Sequence, residues 1–201
     1  MISNYHESKE MLTVEKLIPY DNKLAPFFIR DRLYKLIPEG TEHIYIVGIG
    51  SNKINGDSLG PFVGTLLEGL YANHVTVSGT LRYPLDAETL ESELKQISFP
   101  DNSFVIAIDS VLGTERFVNS IMIRNGAMQP GEGVGNCLLP KVGDCCVMGV
   151  VLHNVPEETC SLFLTDLHLI YSMAMTIAKG ISLTVRQYFQ YPSHQPLLGL
   201  G

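Results

Sequence analysis

The sequence predicts a three-layer α/β/α fold with a mostly parallel β-sheet. Segments that are apolar throughout alternate along the chain with segments whose apolar residues recur at helical spacing. Strands that are apolar on both faces are typical of sheets covered on both sides, and their alternation with helices is typical of parallel connections. The 201 residues, 45% of them hydrophobic, are enough for one well-buried core.

The expected elements follow in chain order. Helices are expected at residues 23–36, 58–70, 86–97 and 157–188, and strands at 43–49, 75–80, 103–109, 119–125 and 145–152. Pro38 and Gly40 close the first helix, and Ser58 and Asp86 are the expected N-caps of the second and third. We therefore expect one α/β domain over 21–190, preceded by an N-terminal extension at 1–20 whose composition permits flexibility and followed by an irregular tail at 191–201.

The charge balance bears on the partners of the protein. A formal net charge of -7 argues against sequence-independent binding to nucleic acids or anionic membranes, because both require a surplus of Lys and Arg. The N-terminal residues lack the apolar stretch of a secretory signal, so we expect a cytoplasmic location. The apolar segment 160–185 contains Asp166, His168 and Lys179, which favours a buried helix over a membrane span.

The glycine-rich segment 48–61, GIGSNKINGDSLGP, is the first candidate site. It follows an apolar strand and leads into a helix, as phosphate-binding loops do. A P-loop, however, needs Lys after its last glycine, and here Asp57 follows Gly56. The dinucleotide motif fails as well, because Lys53 stands where the third glycine is needed. The segment therefore presents the Asp57 carboxylate, which caps the next helix if it has no chemical role.

A second aspartate stands at the end of another strand. Asp109 ends the apolar run VIAID, and the ligand sites of open α/β sheets lie beyond the carboxyl ends of such strands. If the two strands are neighbours, Asp57 and Asp109 face one crevice. Two close carboxylates cannot both ionise freely, so one can act as general acid and the other as general base toward water. The same oxygens could instead bind a divalent metal ion.

Three motifs resemble those of known families. IVGIGSNKINGDSLGPFVG, VIAIDSVLG and GAMQPGEGVGN resemble the YyaC family of sporulation proteins, whose suggested role is that of a spore protease. The chain is more distantly similar to the germination protease of spore-forming bacteria, which shares its fold with the hydrogenase maturation proteases. The resemblance implies this fold, Asp57 and Asp109 as the catalytic pair, and a location in the forespore or the spore interior.

The resemblance also implies that the glycine-rich loop PGEGVGN, 130–136, lies close to the active site. The residues expected to border the substrate are Gly50, Asn52, Ser58, Gly131, Gly133, Gly135 and Asn136. From the residues alone, the glycines indicate only loops with positive φ angles, and asparagine is frequent in such loops for the same reason.

His153 is the alternative third member of the site. The hydrogenase maturation proteases use carboxylates and a histidine to recognise a metal, and His153 follows the strand expected at 145–152. A histidine at a strand end is most often structural. We therefore expect no cofactor, with a divalent metal held by Asp57, Asp109 and His153 as the alternative.

The leading functional hypothesis is a protease whose two aspartates activate water against a peptide bond of a protein or peptide substrate, and a homo-oligomer is compatible with it. The alternative is a sporulation factor on the same fold that binds a metal or a partner without cleaving it. A third hypothesis is an inert interaction protein that has kept the fold. Metal content and sensitivity to chelators separate the first two.

Overall fold

Strands and helices alternate along the chain in the predicted order. The structure, a computed structural model, describes residues 17–130, 139–153 and 159–199. The strands are β1 (Leu17–Pro19), β2 (His43–Gly48), β3 (Val75–Ser78), β4 (Ser103–Gly113), β5 (Ser120–Asn125) and β6 (Cys145–His153). The helices are α1 (Ala25–Tyr34), α2 (Leu59–Leu67), α3 (Leu90–Gln96) and α4 (Leu167–Tyr188). Short 3-10 helices lie at Asn55–Asp57, Glu115–Phe117 and Thr159–Leu164.

The strands of the described residues form one sheet in the order β1-β5-β6-β4-β2-β3. β3, β2, β4 and β6 run parallel to one another. β5 runs antiparallel to β6, and β1 antiparallel to β5. The predicted mostly parallel sheet is confirmed, and the carboxyl ends of the neighbouring strands β2 and β4 lie at the same edge.

Helices cover both faces of the sheet. Because side chains alternate along a strand, Ile106 and Ile108 of β4 pack in the core cluster that also contains buried residues of α1, α2 and α4. Val105 and Ala107 point the other way, into a second cluster that includes Leu90 of α3. The predicted three-layer α/β/α arrangement is therefore confirmed.

α4 is the long amphipathic helix that the sequence predicts near the end of the chain. Asp166 is its N-cap, and the carboxylate Oδ1 accepts a hydrogen bond from the backbone N–H of His168 at 2.8 Å. Its buried side, which includes Ile177 and Ile181, packs in the core. No helix of the described ranges, α4 included, has both the length and the hydropathy that a bilayer span requires.

α2 lies against the sheet with glycine at the contact. A Cβ added at Gly60 would lie 2.3 Å from the Ile49 carbonyl oxygen, and one added at Gly64 would lie 2.1 Å from the Gly79 carbonyl oxygen. Real Cβ atoms do not approach backbone so closely. No larger residue fits this seam without moving the backbone, so the glycines fix the position of the loop that joins β2 to α2.

Neither predicted N-cap, Ser58 or Asp86, caps its helix through its side chain. Ser58 occupies the N-cap position of α2 without a side-chain cap, because its hydroxyl donates a hydrogen bond to the Asn55 carbonyl oxygen at 2.6 Å. α3 begins at Leu90, four residues after the expected cap Asp86. The Asp86 carboxylate instead accepts the N–H groups of Glu88 (3.1 Å) and Thr89 (3.2 Å), which forms a turn ahead of the helix.

The ends of the chain also differ from expectation. Leu17–Pro19, within the segment assigned to an N-terminal extension, pairs with β5 as an edge strand, and Ile18 is buried. The segment 191–199 has no regular structure, as expected, but it packs on the protein: the Gly199 N–H donates to the Leu66 carbonyl oxygen at 2.7 Å. The helix predicted from 157 begins outside the described residues; 159–164 form a 3-10 helix that precedes α4.

Candidate active site

The loop after β2 is held between its two neighbours in the sheet. The Ile49 N–H donates to the Ile108 carbonyl oxygen at 2.8 Å, and the Gly50 N–H donates to the Leu85 carbonyl oxygen at 3.0 Å. Gly50 has a φ of +132°, and a Cβ added there would lie 1.9 Å from the Asp57 carbonyl oxygen. Gly50 is therefore required, because no side chain fits between this turn and Asp57.

Asp57 closes the loop onto itself. The backbone N–H of Ser51 donates to the Asp57 carboxylate Oδ2 at 2.8 Å and to the Asp57 carbonyl oxygen at 3.0 Å. The preceding Gly56 is buried, and a Cβ added to it would lie 2.6 Å from Leu162 and 2.7 Å from the Thr165 hydroxyl. The half-buried Asp57 is thus held by the backbone of Ser51, and its neighbour Gly56 packs against the segment that precedes α4.

Asp109 lies within β4, at the point where the neighbouring β2 has ended. It pairs with Met148 of β6, and its side chain is only 6% exposed. Its Oδ1 atom accepts the N–H of Ser110 at 2.7 Å. β4 continues to Gly113, beyond the predicted end at 109, because β6 pairs with it along that length. Asp109 is therefore a strand residue with β6 on one side.

The two aspartates influence each other electrostatically. Burial raises the pKa of Asp109 well above its ordinary value, and the negative charge of Asp57 raises it further. Burial also raises the pKa of Asp57 from 3.8 to about 6, against the hydrogen bond from Ser51, which lowers it. Burial and the charge of Asp57 both favour the protonated form of the more buried Asp109. Both carboxyl groups therefore lie at one edge of the sheet, where the charge of Asp57 acts on Asp109.

Asp86, which the sequence marks only as a helix cap, is a third carboxylate at this edge. Its charge contributes to the raised pKa of Asp57. Asp86 arrives there because Leu85 pairs with Ile49 as an isolated parallel bridge, which extends the sheet past the end of β3. No local periodicity marks a bridge of this kind, so the sequence alone gives no signal for it.

The other expected loop residues have varied positions. Asn52 is exposed, and its amide donates to the Leu81 carbonyl oxygen at 2.8 Å, whereas Ser58 is buried and bonded to Asn55. Both side chains thus stabilise the loop itself. The remaining expected loop residues, Gly131, Gly133, Gly135 and Asn136, lie outside the described residues.

His153 lies farther along the sheet than the two aspartates. It pairs with Gly113, four residues beyond Asp109 on β4. At about 3.3 Å per residue, that separation is roughly 13 Å along the strand. Within the described ranges, no three His, Cys, Asp or Glu residues are grouped so that they could hold a metal ion. The geometry therefore does not bring His153 to the pair.

Two cavities lie away from the carboxylates themselves. One, of about 530 Å³, is lined by Ser103 at the amino end of β4 and by Lys141. The other, of about 500 Å³, is lined by Leu85 and Asp86, which adjoin the Asp57 loop. Neither is lined by Asp57 or Asp109 in the part of the chain that the structure describes. The second cavity thus reaches Asp86 and the residue that pairs with the Asp57 loop.

Comparison with known proteins assigns the chain to a family. Residues 17–180 match the model of a family described as a protein of unknown function (DUF1256). A protein of Bacillus subtilis (strain 168) that carries the name uncharacterized protein YyaC is 37% identical over 155 residues, which cover 77% of this chain and 75% of the relative. The resemblance to YyaC proteins is therefore confirmed, and the chain belongs to the DUF1256 family.

Proposed function

We propose that the protein is a peptidase of spore-forming bacteria in which Asp57 and Asp109 activate water against a peptide bond. Its substrate is a protein or peptide, and it works in sporulation or germination, in the cytoplasm of the forespore or in the spore interior. The observation that carries the proposal is the burial of Asp109 beside the charge of Asp57, at the carboxyl edge of a parallel sheet. Such burial opposes folding, and it is typical of sites that carry out acid–base chemistry.

The surroundings of the two carboxyl groups favour different roles. Asp57, whose pKa is raised to about 6, is ionised at neutral pH and can act as the general base. Asp109 remains protonated, because burial and the charge of Asp57 hold its pKa well above the ordinary range, and it can act as the general acid. The backbone N–H of Ser51 keeps the Asp57 carboxylate oriented while it does so.

A peptide bond can be hydrolysed by this pair in two steps. In the first, Asp57 takes a proton from water, the water oxygen bonds to the carbonyl carbon, and Asp109 gives its proton to the carbonyl oxygen. In the second, the C–N bond breaks as the protonated Asp57 gives its proton to the leaving nitrogen. Asp109 then takes back a hydroxyl proton as the new carboxyl group forms, and both aspartates return to their starting states.

The test compares four purified proteins on an extract of spore proteins: the wild type, Asp57→Asn, Asp109→Asn and the control Asp101→Asn. Asparagine keeps the shape of the side chain and removes the ionisable group. Asp101 is an exposed residue just before β4, at the opposite edge of the sheet. Mass spectrometry should detect new peptide termini with the wild type and with Asp101→Asn, and their loss in both site variants, with and without a chelator.

Two results contradict the proposal. Cleavage that survives in Asp57→Asn and Asp109→Asn assigns the activity to other residues or to a contaminant. The absence of cleavage by all four proteins, each folded by circular dichroism, favours the non-cleaving binding factor. A loss of activity with chelator alone shows that a metal ion takes part.

A further inference from the structure

β3 is the edge strand of the sheet, and a groove follows its open side. The sheet order ends at β3, so the side of β3 that faces away from β2 has no neighbouring strand among the described residues. The groove has a volume of about 500 Å³, and Val77, Ser78 and Gly79 lie along it. Volumes of this size are typical of sites that take a ligand.

The register of β3 shows which backbone groups face the groove. Ile44 of β2 donates its N–H to the His74 carbonyl oxygen at 2.8 Å, and it pairs with Val75. In a parallel pair, only alternate residues of a strand form backbone hydrogen bonds with a given neighbour. The backbone of Thr76 therefore bonds to β2, whereas the backbone N–H and C=O of Val77 point away from β2. The N–H and C=O of Val77 are therefore directed into the groove, where an added strand can bond to both.

The walls of the groove come from both helical layers. Glu68, which follows α2, lies on one side, and Glu93 of α3 with Ile97 lies on the other. The segment 82–86, in which Tyr83 is 65% exposed, borders the far end of the groove. The groove thus has the backbone of an edge strand along it and carboxylates as well as the apolar Ile97 at its sides.

The charges of the groove select the chemistry of its occupant. Among its described lining residues are the carboxylates of Glu68, Asp86 and Glu93 and the single guanidinium of Arg82. The Arg82 guanidinium lies over the Tyr83 ring, 5.2 Å from its centroid. The surplus of negative charge attracts lysine and arginine side chains and repels acidic ones.

We propose that this groove binds an extended, lysine- or arginine-containing segment of the substrate as an additional strand beside β3. Main-chain hydrogen bonds to Val77 supply affinity that does not depend on sequence, and Glu68 and Glu93 supply the preference for basic side chains. The identification of the bound segment as part of a substrate rests on the proposed peptidase function, whereas the binding itself does not.

The groove also leads toward the aspartates. Leu85 and Asp86 line its end, and Leu85 accepts the N–H of Gly50 in the loop that holds Asp57. Ile49 in turn donates to Ile108, the residue before Asp109. Strands lie about 4.8 Å apart, so roughly 10 Å separates the backbone of Leu85 from that of Asp109. Three or so further residues of an extended peptide cover this distance.

Fluorescence anisotropy tests the binding without cleavage. The probe is a fluorescein-labelled heptapeptide of alternating valine and lysine, and the protein is the full chain carrying Asp57→Asn. We expect binding that weakens at least about tenfold when the peptide backbone is N-methylated or when glutamate replaces lysine, because each change removes one source of affinity. Purely ionic docking survives N-methylation.

Protein variants test the same surface. Glu68→Lys with Glu93→Lys should weaken binding at least about tenfold at low salt and less at high salt, since exposed charges are screened. Glu42→Lys, an exposed change at the amino end of β2, is the matched control and should leave affinity within about twofold. Val77→Pro removes the outward N–H without breaking a bond to β2 and should also weaken binding about tenfold.

Three outcomes overturn the inference. The first is equal binding of the N-methylated and unmodified peptides, and the second is no binding of the lysine–valine peptide by the folded protein. The third is a dimer in sedimentation that dissociates when both Glu68→Lys and Glu93→Lys are present, because this result places a second copy of the chain in the groove. Binding that behaves as expected in a protein whose wild type cleaves nothing supports the groove and contradicts the peptidase. Cleavage by a wild type whose groove binds no peptide supports the peptidase and contradicts the groove.

Discussion

Replacement of Asp57 by asparagine is expected to stabilise the folded protein at neutral and alkaline pH. The pKa of Asp57 is raised from 3.8 to about 6, chiefly because burial penalises its charged form. One pKa unit corresponds to about 1.36 kcal/mol, so ionising Asp57 in the folded protein costs about 3 kcal/mol more than in the unfolded chain. Asparagine carries no charge, and its oxygen can still accept the hydrogen bond from Ser51.

The direction of the pKa shift sets the sign of the pH dependence. A carboxyl group with a higher pKa when folded binds its proton more tightly in the folded state. The wild type therefore loses stability as the pH rises from about 4 through about 6, and the loss is complete at higher pH. The variant lacks this loss, so its advantage should be under about 1 kcal/mol at pH 4 and about 3 kcal/mol at pH 8.

Urea unfolding followed by circular dichroism measures this difference. The free energies of unfolding of the wild type and Asp57→Asn are compared at about pH 4 and about pH 8, with Asp101→Asn as the exposed control. The control should follow the wild type at both pH values. A stability difference that does not grow with pH, or a variant less stable than the wild type at pH 8, refutes the burial of an ionised Asp57.

Three further predictions concern the same edge of the sheet. The kcat/KM of the proposed peptidase should follow a bell-shaped pH profile that rises as Asp57 ionises at about pH 6. It should fall only where Asp109 loses its proton, well above the ordinary pKa range of an aspartate. A profile without the rising limb contradicts the role of Asp57 as the general base. Asp86→Asn keeps the oxygen that accepts hydrogen bonds from Glu88 and Thr89 but removes the negative charge that raises the pKa of Asp57. The midpoint of the rising limb should therefore move to lower pH. An unchanged midpoint rules out an electrostatic effect of Asp86 on Asp57. Gly50→Ala should unfold at a lower urea concentration than Gly69→Ala. Both positions have a positive φ, but of the two only Gly50 would bring a Cβ against backbone, 1.9 Å from the Asp57 carbonyl oxygen. Equal losses of stability in the two variants would show that the loop shifts to accept the Cβ.

The catalytic candidates could be predicted because they depend on local patterns. An apolar run marks a strand of a parallel sheet, and the polar residue at its carboxyl end marks the edge where sites form. Asp109 satisfies both conditions, and Asp57 lies in the loop after the neighbouring strand. What the pattern lacked was the sheet order, which the register of β2 with β4 supplies.

Two of the features that could not be predicted depend on contacts between distant segments, and a third has a local cause. β1 has three residues and is a strand only because β5 lies beside it, so no periodicity marks it. Asp86 reaches Asp57 through the pairing of Leu85 with Ile49, far away in sequence. The late start of α3 has a local cause, since the Asp86 carboxylate bonds to the backbone of the next residues and competes with the helix.

The strand order gives the site a particular history during synthesis. β6 is the last strand of the described chain, yet it lies in the interior of the sheet between β5 and β4. A nascent chain that ends before Cys145 lacks the strand beside Asp109, and water then reaches that carboxyl group. Burial is the main cause of the raised pKa of Asp109, so this shift depends on the docking of β6. The surroundings of the proposed general acid are therefore complete only once most of the chain has been synthesised.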